Sequence, residues 1–546
     1  MKRWTRGIAN SKHARIFETA AIIALLALWS AAAVWFFYSS GYLAYYGDAE
    51  AHLNIARRIL DSRTPGYDEL GAVWLPLPHV LIMLFARSDA LWRTALAGSI
   101  VSGISFVLAG AFLYAAARRV FERNGAGRAA ALAAVLLFAT NPNVLYLQST
   151  AMTEPLFMAA LAGVLYFTVL FYDTQSWLAI CGAGLAALCG TLTRYEGWFL
   201  VPFVTLFVLM AARRHAVAKA ALFAAIACLG PLYWFGHNWW CCSNVLDFYN
   251  GPYAPRSIQG AALYPGRANW AKAWLYFGSA VRWCAGAPLV WLGAAGLAAC
   301  VMVRKARWPA FLLVLPGIFY VWSMRSSGGT PIFLPDLWPN SYYNSRYGLA
   351  LFPALAFGAA ALVSLAPAGA RRWAAAAIVL AAAIPWLIHP RPDAWITWKE
   401  SQVNSEARRA WTREAAAYLA PRYQRGTGII TTFGDITGIF RAAGIPLRET
   451  LTGDNWPHWP AAVARPELFL WEDWAVVEAG DPVQRALLRA GANGPRYKLV
   501  KTVIVPHAPV FEIYHCCISP TPMDQDANSV HESPRSQERF PADEEK

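Results

Sequence analysis

The layout of this chain is set by the stretch Tyr45–Leu81, which reads YYGDAEAHLNIARRILDSRTPGYDELGAVWLPLPHVL. It directly follows an apolar run that is long enough to span a lipid bilayer. Asp48 and Glu50 therefore stand where the first predicted helix leaves the lipid. Two carboxylates at that position predict an active site at a membrane surface.

The composition is that of a membrane protein with many spans. Of 546 residues, 57% are apolar and only 15% are charged, whereas an average soluble protein has about 25% charged residues. The net charge of +14 suits basic cytoplasmic loops beside anionic lipid headgroups. The basic residues are scattered through short loops, with no basic face and no RNA-binding or zinc-finger pattern. We therefore predict membrane lipid, and no nucleic acid, as a partner.

The N-terminus predicts the orientation of the chain. Residues 1–16 carry five basic side chains and are expected to be cytoplasmic. The apolar run that follows reaches about Tyr45, which is too long for the roughly 7–15-residue core of a cleaved signal peptide. We expect a retained first helix, which places Asp48 in an extracytoplasmic loop, residues 46–93.

Residues 73–86 are apolar but short, and they contain Pro76 and Pro78. A spanning helix needs about 20 residues, so this segment is expected to lie at the interface without crossing. Every later basic cluster then faces the cytoplasm, as the positive-inside rule requires. The sequence predicts about eleven spans, at 17–45, 94–117, 129–141, 155–172, 177–193, 198–212, 217–237, 283–303, 308–323, 347–367 and 373–388.

The predicted fold class is mainly α, a polytopic membrane bundle over residues 17–389 with a small extracytoplasmic α/β domain over 390–517. Past Pro390 the apolar runs shorten and charges become frequent. Strands are predicted at 428–433, 474–477, 498–505 and 510–514, and helices at 402–419 and 482–490. Residues 518–546 are rich in Pro, Ser, Asp and Glu, which predicts a disordered tail.

The polar segments at the outer ends of the spans resemble a known family. The relevant segments are the Asp48 stretch, Trp74-Leu75-Pro76-Leu77-Pro78-His79, Met152-Thr153-Glu154-Pro155 and Asn344-Ser345-Arg346-Tyr347. These segments follow one another over residues 20–390 and are predicted to lie on the same side of the membrane. In both respects the chain resembles the GT-C superfamily of integral membrane glycosyltransferases. That superfamily includes protein O-mannosyltransferases and aminoarabinose transferases. Many members have Asp-Glu where this chain has Asp48-Ala49, so the second carboxylate is displaced to Glu50. The Trp-Trp-Asp motif of oligosaccharyltransferases is absent.

The resemblance implies a hexosyltransferase of the cell (inner) membrane that acts on the extracytoplasmic face. Such enzymes take a sugar from a polyprenyl-phosphate or diphosphate donor and pass it to a glycan, lipid or protein acceptor. An acceptor hydroxyl must lose its proton, and one carboxylate acting as general base could supply about 10²–10⁴-fold acceleration. Asp48 is the predicted base. The alternative for Asp48 and Glu50 is a helix-capping Asp beside a solvated Glu.

The remaining candidate residues lie at span ends predicted to face the same side. Glu154 is a second catalytic candidate, either orienting the acceptor or holding a divalent cation (Mg²⁺ or Mn²⁺) with Asp48; no metal ligand is otherwise predicted. Arg346 and Arg194 could bind the departing phosphate. Alternatively, Arg346 reaches towards the interface and Arg194 pairs with Glu196 or Glu154. Further substrate-binding candidates are Glu50, His79, Glu196, Tyr249 and Tyr347, with a structural role as the alternative for His79 and loop packing for Tyr249.

Two other functional classes compete with the transferase. A flippase for lipid-linked glycans would place ionisable groups near the membrane midplane and would show internal repeats, whereas the predicted spans are nearly free of charge. A non-catalytic membrane scaffold would use the outer domain to bind a partner. The Asp48→Asn variant distinguishes these classes. Loss of sugar transfer at normal membrane abundance would support the enzyme, and an unaffected phenotype would support the scaffold.

Overall fold

A computed structural model of the chain describes residues 2–122, 125–260, 262–326, 330–432, 434, 436–490 and 494–518. The predicted tail, 518–546, lies outside these residues apart from Ile518. Helices dominate the part before residue 390. They are α1 (Lys2–Ser39), α2 (Gly47–Arg58), α3 (Leu77–Ala86), α4 (Asp89–Arg93), α5 (Leu96–Phe121), α6 (Gly127–Ala139), α7 (Pro142–Gln148), α8 (Glu154–Thr174), α9 (Trp177–Thr191), α10 (Tyr195–Ala211), α11 (Ala216–Cys242), α12 (Asp247–Asn250), α13 (Pro255–Gln259), α14 (Trp270–Ala285), α15 (Ala287–Cys300), α16 (Arg307–Arg325), α17 (Phe352–Leu365) and α18 (Arg371–Ile388).

Each of the eleven predicted spans coincides with a helix or a bent helix pair. Within the described residues, seven helices are long and apolar enough to cross a membrane, and nine spans result if each bent pair counts as one. The shorter apolar helices α9 and α10 coincide with the other two predicted spans. The polytopic helical fold is confirmed, and the count of eleven stays a prediction.

The two bent pairs have local causes. Helices α6 and α7 meet at 65°, where Asn141 caps α7 by accepting hydrogen bonds from the backbone of Asn143 and Val144 and Pro142 occupies its first turn. Helices α14 and α15 meet at 111° across Gly286, whose φ of 80° suits glycine.

Small residues let the core helices approach closely. A methyl group on Gly296 of α15 would lie 1.7 Å from the carbonyl oxygen of Gly358 in α17, so only glycine fits there. Large aromatic rings fill the remaining space, with Phe106 stacked on Phe138 at 5.2 Å.

The basic loops meet at one end of this bundle. Arg118 and Arg128 both pair with Glu18, and Asp173 accepts hydrogen bonds from Lys305 and Arg119. These clusters lie on one side, as predicted, while the polar segments quoted above lie at the opposite helix ends. Which end faces the cytoplasm stays a prediction.

The small α/β part after residue 390 is confirmed. Its helices are α19 (Ile396–Leu419), α20 (Thr437–Ala443), α21 (His458–Ala464), α22 (Pro466–Phe469) and α23 (Pro482–Arg489), and its strands are β1 (Ile429–Thr431), β2 (Thr450–Leu451), β3 (Trp474–Glu478), β4 (Arg496–Val503) and β5 (Phe511–Ile518). The sheet order is β2-β1-β3-β5-β4. Strand β1 pairs in parallel with β2 and β3, and β5 is antiparallel to β3 and β4. All four predicted strands are present, and β2 was not predicted.

Candidate active site

Arg346 joins three carboxylates from three separate parts of the chain. Its Nε donates to Glu154 Oε1 at 3.1 Å and its Nη1 donates to Glu400 Oε1 at 2.9 Å. Its Nη2 donates to Asp48 Oδ2. The arginine side chain is only 6% exposed, and a buried guanidinium is tolerated where carboxylates satisfy its charge and donors. The four side chains therefore form one ion-pair network.

Glu400 of α19 also fixes the turn that carries Arg346. It accepts backbone hydrogen bonds from Asn344 at 3.1 Å and Ser345 at 2.7 Å, and a further bond from the Ser345 hydroxyl. Burial raises the pKa of Glu400, and Arg346 opposes that rise. Asn344 has φ of 53°, a left-handed conformation that Asn tolerates better than most residues. Glu400 thus connects the outer domain to this turn.

A second buried arginine, Arg194, extends the network. Its Nε donates to Glu196 Oε1 at 2.8 Å and its Nη1 lies 3.1 Å from Glu154 Oε1. Nη1 also donates to the Thr153 hydroxyl at 2.7 Å, and Nη2 donates to Tyr320 at 2.6 Å. Burial alone would lower the pKa of Arg194, but Glu196 and its other partners raise that pKa well above its usual value. Arg194 therefore forms ion pairs with both Glu196 and Glu154, and its binding of a phosphate stays a prediction.

Aromatic rings support both arginines. The Tyr347 ring lies 5.1 Å from the guanidinium carbon of Arg346 and 5.4 Å from that of Arg194, and it stacks on Tyr320 at 4.5 Å. Tyr46 faces Arg346 at 5.1 Å, with its hydroxyl donating to the Thr397 carbonyl. Cation–π contacts of this kind stabilise a buried guanidinium. The predicted substrate-binding residue Tyr347 therefore packs within the network.

Asp48 is the most accessible of the four carboxylates. Its side chain is 42% exposed, against 8% for Glu154, 5% for Glu196 and 2% for Glu400. It lines a cavity of about 370 Å³ between α2 and the outer domain. The helix α2 starts after Tyr46, and its N-cap residue makes no side-chain capping hydrogen bond. Asp48 thus reaches open space while one of its oxygens is held by Arg346.

Glu50, two positions after Asp48 on α2, pairs with a different arginine. It accepts from Arg441 Nη2 at 2.8 Å and Nε at 3.1 Å, and its side chain is 9% exposed. A methyl group on Gly438 would lie 2.7 Å from a Glu50 oxygen, so the outer domain approaches α2 very closely here. Glu50 thus anchors α2 to the outer domain.

His79 and Tyr249 lie in different surroundings. His79 is fully buried, and its Nε2 lies 2.9 Å from Nδ1 of His52, one helical turn from Asp48. Burial is the main reason that the pKa of His52 falls to about 4, so His52 is neutral at pH 7. Tyr249 is 47% exposed in α12, and its ring partner is Arg256 from the same loop. Substrate contacts of His79 and Tyr249 stay predictions.

The residues present do not fit the divalent cation considered from the sequence. Arg346 lies between Asp48 and Glu154, so these two carboxylates share a guanidinium. Among the residues that the structure describes, no group of three or more His, Cys, Asp or Glu could hold a metal ion.

Two residues of the network, Glu400 and Tyr320, and the neighbouring His52 were not predicted. Glu400 lies just before the predicted helix 402–419. The position of its carboxylate close to the last predicted span is the sequence feature that could have identified it as a site residue. His52 is four residues after Asp48, which puts both on one helix face. Tyr320 lies within an apolar segment, where only its hydroxyl distinguishes it from a packing residue.

Comparison with known proteins agrees with this architecture. A family model described as dolichyl-phosphate-mannose-protein mannosyltransferase matches residues 81–234. The search of curated proteins finds no match.

Two solved structures of ArnT have the same fold over nearly the whole chain. ArnT from Cupriavidus metallidurans bound to undecaprenyl phosphate has a TM-score of 0.54 and 16% identity, covering 90% of this chain and 98% of the ArnT chain. The apo state of the same protein has a TM-score of 0.53 and 16% identity, covering 92% of this chain and 98% of the ArnT chain. The Archaeoglobus fulgidus oligosaccharyltransferase tethered with an acceptor peptide is less similar. Its TM-score is 0.43 and its identity 13%, covering 85% of this chain and 69% of the oligosaccharyltransferase chain. The GT-C resemblance is therefore confirmed at the level of the fold.

Proposed function

We propose that this protein is an integral membrane glycosyltransferase that moves a hexose from a polyprenyl-phosphate or polyprenyl-diphosphate donor to an acceptor hydroxyl, with Asp48 as general base. The observation that carries the proposal is the placement of Asp48. It is held by Arg346 at the end of the apolar helices, and its side chain is 42% exposed to a cavity. A base must reach its substrate and be held in position, and Asp48 meets both requirements.

The reaction follows from this placement. Asp48 accepts the proton of the acceptor hydroxyl as the oxygen forms a bond to the anomeric carbon. The bond from that carbon to the donor phosphate oxygen breaks, and the phosphate leaves with the electron pair. The lipid tail stays in the bilayer, so the reacting carbon has to be met where spans end. Undecaprenyl phosphate bound to ArnT, a protein with this fold, supports a lipid phosphate as the leaving group.

Arg346 is proposed both to position Asp48 and to stabilise the departing phosphate. A guanidinium has five N–H donors, and the three carboxylates engage one each on Nε, Nη1 and Nη2. The terminal nitrogens therefore retain N–H groups for a phosphate oxygen that approaches beside Asp48. Arg194 has less capacity, because Glu196, Thr153 and Tyr320 each take a donor and its Nη1 also lies 3.1 Å from Glu154 Oε1.

The location of the charges favours a transferase over a flippase. Glu154 begins α8, Arg194 precedes α10, and Arg346 lies at the start of the apolar segment Ser345–Leu365. All three are at helix ends, whereas a transporter site is expected near the membrane midplane. We further propose that this end of the bundle and the outer domain are extracytoplasmic, in the cell (inner) membrane.

The test is an incubation of the purified full chain with a panel of labelled polyprenyl-phosphate and polyprenyl-diphosphate sugars plus glycan, lipid and peptide acceptors. Labelled product from one donor supports the proposal. Transbilayer movement of the intact lipid-linked sugar without transfer supports a flippase. Absence of both activities, with the protein folded and all acceptor classes present, would contradict the proposed function and leave the scaffold.

A further inference from the structure

A long groove runs between α6 and α18 on the outside of the bundle. Its volume is about 950 Å³, near the upper end of the range for small-molecule sites. Its walls are apolar, with several alanines beside Leu132 and Leu136 of α6 and Val379 and Leu380 of α18. Little of the segment Ala368–Ile388 is buried against the rest of the protein. The groove therefore opens towards the lipid that surrounds the bundle.

Three arginines lie at one end of this groove. Arg128 is in the first turn of α6, and Arg371 and Arg372 begin α18. Arg371 reaches across to the start of α6, because a methyl group on Gly125 would lie 3.0 Å from its Nη1. Among the residues that the structure describes, no acidic side chain lines the groove. This end of the groove is therefore positively charged.

The three arginines have few carboxylate partners. Arg128 Nε donates to Glu18 at 2.8 Å, but Glu18 also pairs with Arg118. Arg371 Nε donates to a backbone carbonyl at 3.2 Å, and the guanidinium carbon of Arg372 lies 5.3 Å from the tryptophan ring of the next residue. Within the described part of the chain, neither Arg371 nor Arg372 forms an ion pair. Both charges are therefore open to an anion from outside the chain.

The groove is about as deep as one leaflet of a bilayer. On α18 its lining extends from Arg372 to Ala383, which corresponds to about 16 Å of helix. The hydrocarbon core of a bilayer is about 30 Å thick, so one leaflet contributes about 15 Å. Trp373, beside the arginines, is 67% exposed, as expected for a tryptophan at the level of the lipid headgroups. The arginines then lie at the level of lipid phosphates, and the apolar walls lie at the level of acyl chains.

We propose that this groove binds an anionic phospholipid, with its phosphate held by Arg128, Arg371 and Arg372 and an acyl chain packed between α6 and α18. Guanidinium groups match phosphate oxygens, and basic pockets between spanning helices are known sites for anionic headgroups. A polyprenyl phosphate fits less well, because its long chain exceeds one leaflet. An apolar helix of a second copy would leave the arginines without an anion. The groove is at the opposite end of the bundle from Asp48, so the inference does not depend on the proposed function.

Native mass spectrometry of the full chain with added lipid tests the role of the arginines. The wild type is expected to bind phosphatidylglycerol about tenfold or more tightly than phosphatidylcholine, and the double variant Arg371→Gln, Arg372→Gln should lose that preference. The matched control is Arg213→Gln, Arg214→Gln, which changes an adjacent, exposed pair at the same end of the bundle, after α10. It should bind as the wild type does. Equal binding of the two lipids by the wild type, or equal loss in both double variants, would overturn the proposal.

A second pair of variants tests the groove separately from its charge. Ala376 lines the groove and its neighbour Ala377 does not, and both are exposed on α18. Ala376→Trp should fill the groove and lower phosphatidylglycerol binding about tenfold, whereas Ala377→Trp should bind as the wild type does. Equal binding by these two variants would overturn the groove as the site. Tighter binding of polyprenyl phosphate than of phosphatidylglycerol, or a dimer that Ala376→Trp abolishes, would assign the groove to another occupant and overturn the proposal.

Discussion

Asp48 and Arg346 form an ion pair although 298 positions separate them in the chain. The pair joins the start of α2 to the start of the apolar segment Ser345–Leu365. Glu154 and Glu400 bind the same guanidinium. Arg346 therefore connects its own segment to three others that are distant in the chain. Substitutions at these positions can separate the structural part of that dependence from the chemical part.

Replacing Arg346 by Ala should destabilise the protein strongly. Three carboxylates would lose their common cation, and removing one partner of a buried ion pair typically costs about 3–5 kcal/mol. Arg346→Lys retains the charge but cannot present a planar fork to three partners. We expect the Lys variant to stay folded and to lose transfer activity at least tenfold. Thermal unfolding in detergent and the transfer assay check the two effects, and full activity in Arg346→Lys would contradict the role given to the guanidinium.

Glu400→Gln tests a residue that positions Arg346 without touching substrate. The amide oxygen replaces only one of the two carboxylate oxygens, so the backbone N–H of either Asn344 or Ser345 loses its acceptor and the charge opposite Arg346 is lost as well. We expect a fall in kcat of about tenfold with donor and acceptor KM little changed. Combining Glu400→Gln with Arg346→Lys should cost less than the product of the two single effects, because both act on the same contact. Independent effects would place Glu400 outside this network.

Glu50→Gln is predicted to affect stability more than chemistry. Glu50 pairs with Arg441 of the outer domain and is nearly buried. The variant should lose about 1–3 kcal/mol of stability, since the charge of Arg441 is then less well compensated. Its kcat should exceed that of Asp48→Asn at least tenfold. Equal kcat values in the two variants would show that the two carboxylates act together in the reaction.

His52 makes stability depend on pH. Its pKa is about 4 in the folded protein and about 6.5 in an unfolded chain, so between these values the unfolded state binds more protons. The stability contribution is complete above about pH 6.5 and is lost as the pH falls towards 4. The difference in the free energy of unfolding between the wild type and His52→Asn should therefore shrink by about 1–3 kcal/mol as the pH falls over this range. Thermal unfolding at a series of pH values measures this difference. A constant difference at all pH values would contradict the buried, neutral state.

The sequence predicted the spans and the exposed acid because both depend on local patterns. An apolar run followed by Gly47-Asp48 marks a helix end, and the interfacial 73–86 segment matches the short helix α3. Glu154, Arg194 and Arg346 were found for the same reason, since each stands beside an apolar run.

The features of the site that the sequence did not predict depend on long-range packing. Glu400 belongs to a helix that begins at Ile396, six residues before the predicted start, and folds back onto the turn at Ser345. No local pattern indicates that contact. Arg58 and Asp454 are 396 positions apart, so their pairing depends on how the outer domain sits over α2.

The most direct test of the central claim compares kcat for Asp48→Asn and Asp393→Asn in sugar transfer from the donor that the wild type uses. Both changes replace a carboxylate by its amide, and Asp393 is 70% exposed before α19, where its ion-pair partner is Lys399. We predict that Asp48→Asn lowers kcat by about 10²–10⁴-fold at normal abundance and melting temperature, while Asp393→Asn matches the wild type. Transfer by Asp48→Asn at the wild-type rate would contradict Asp48 as the base.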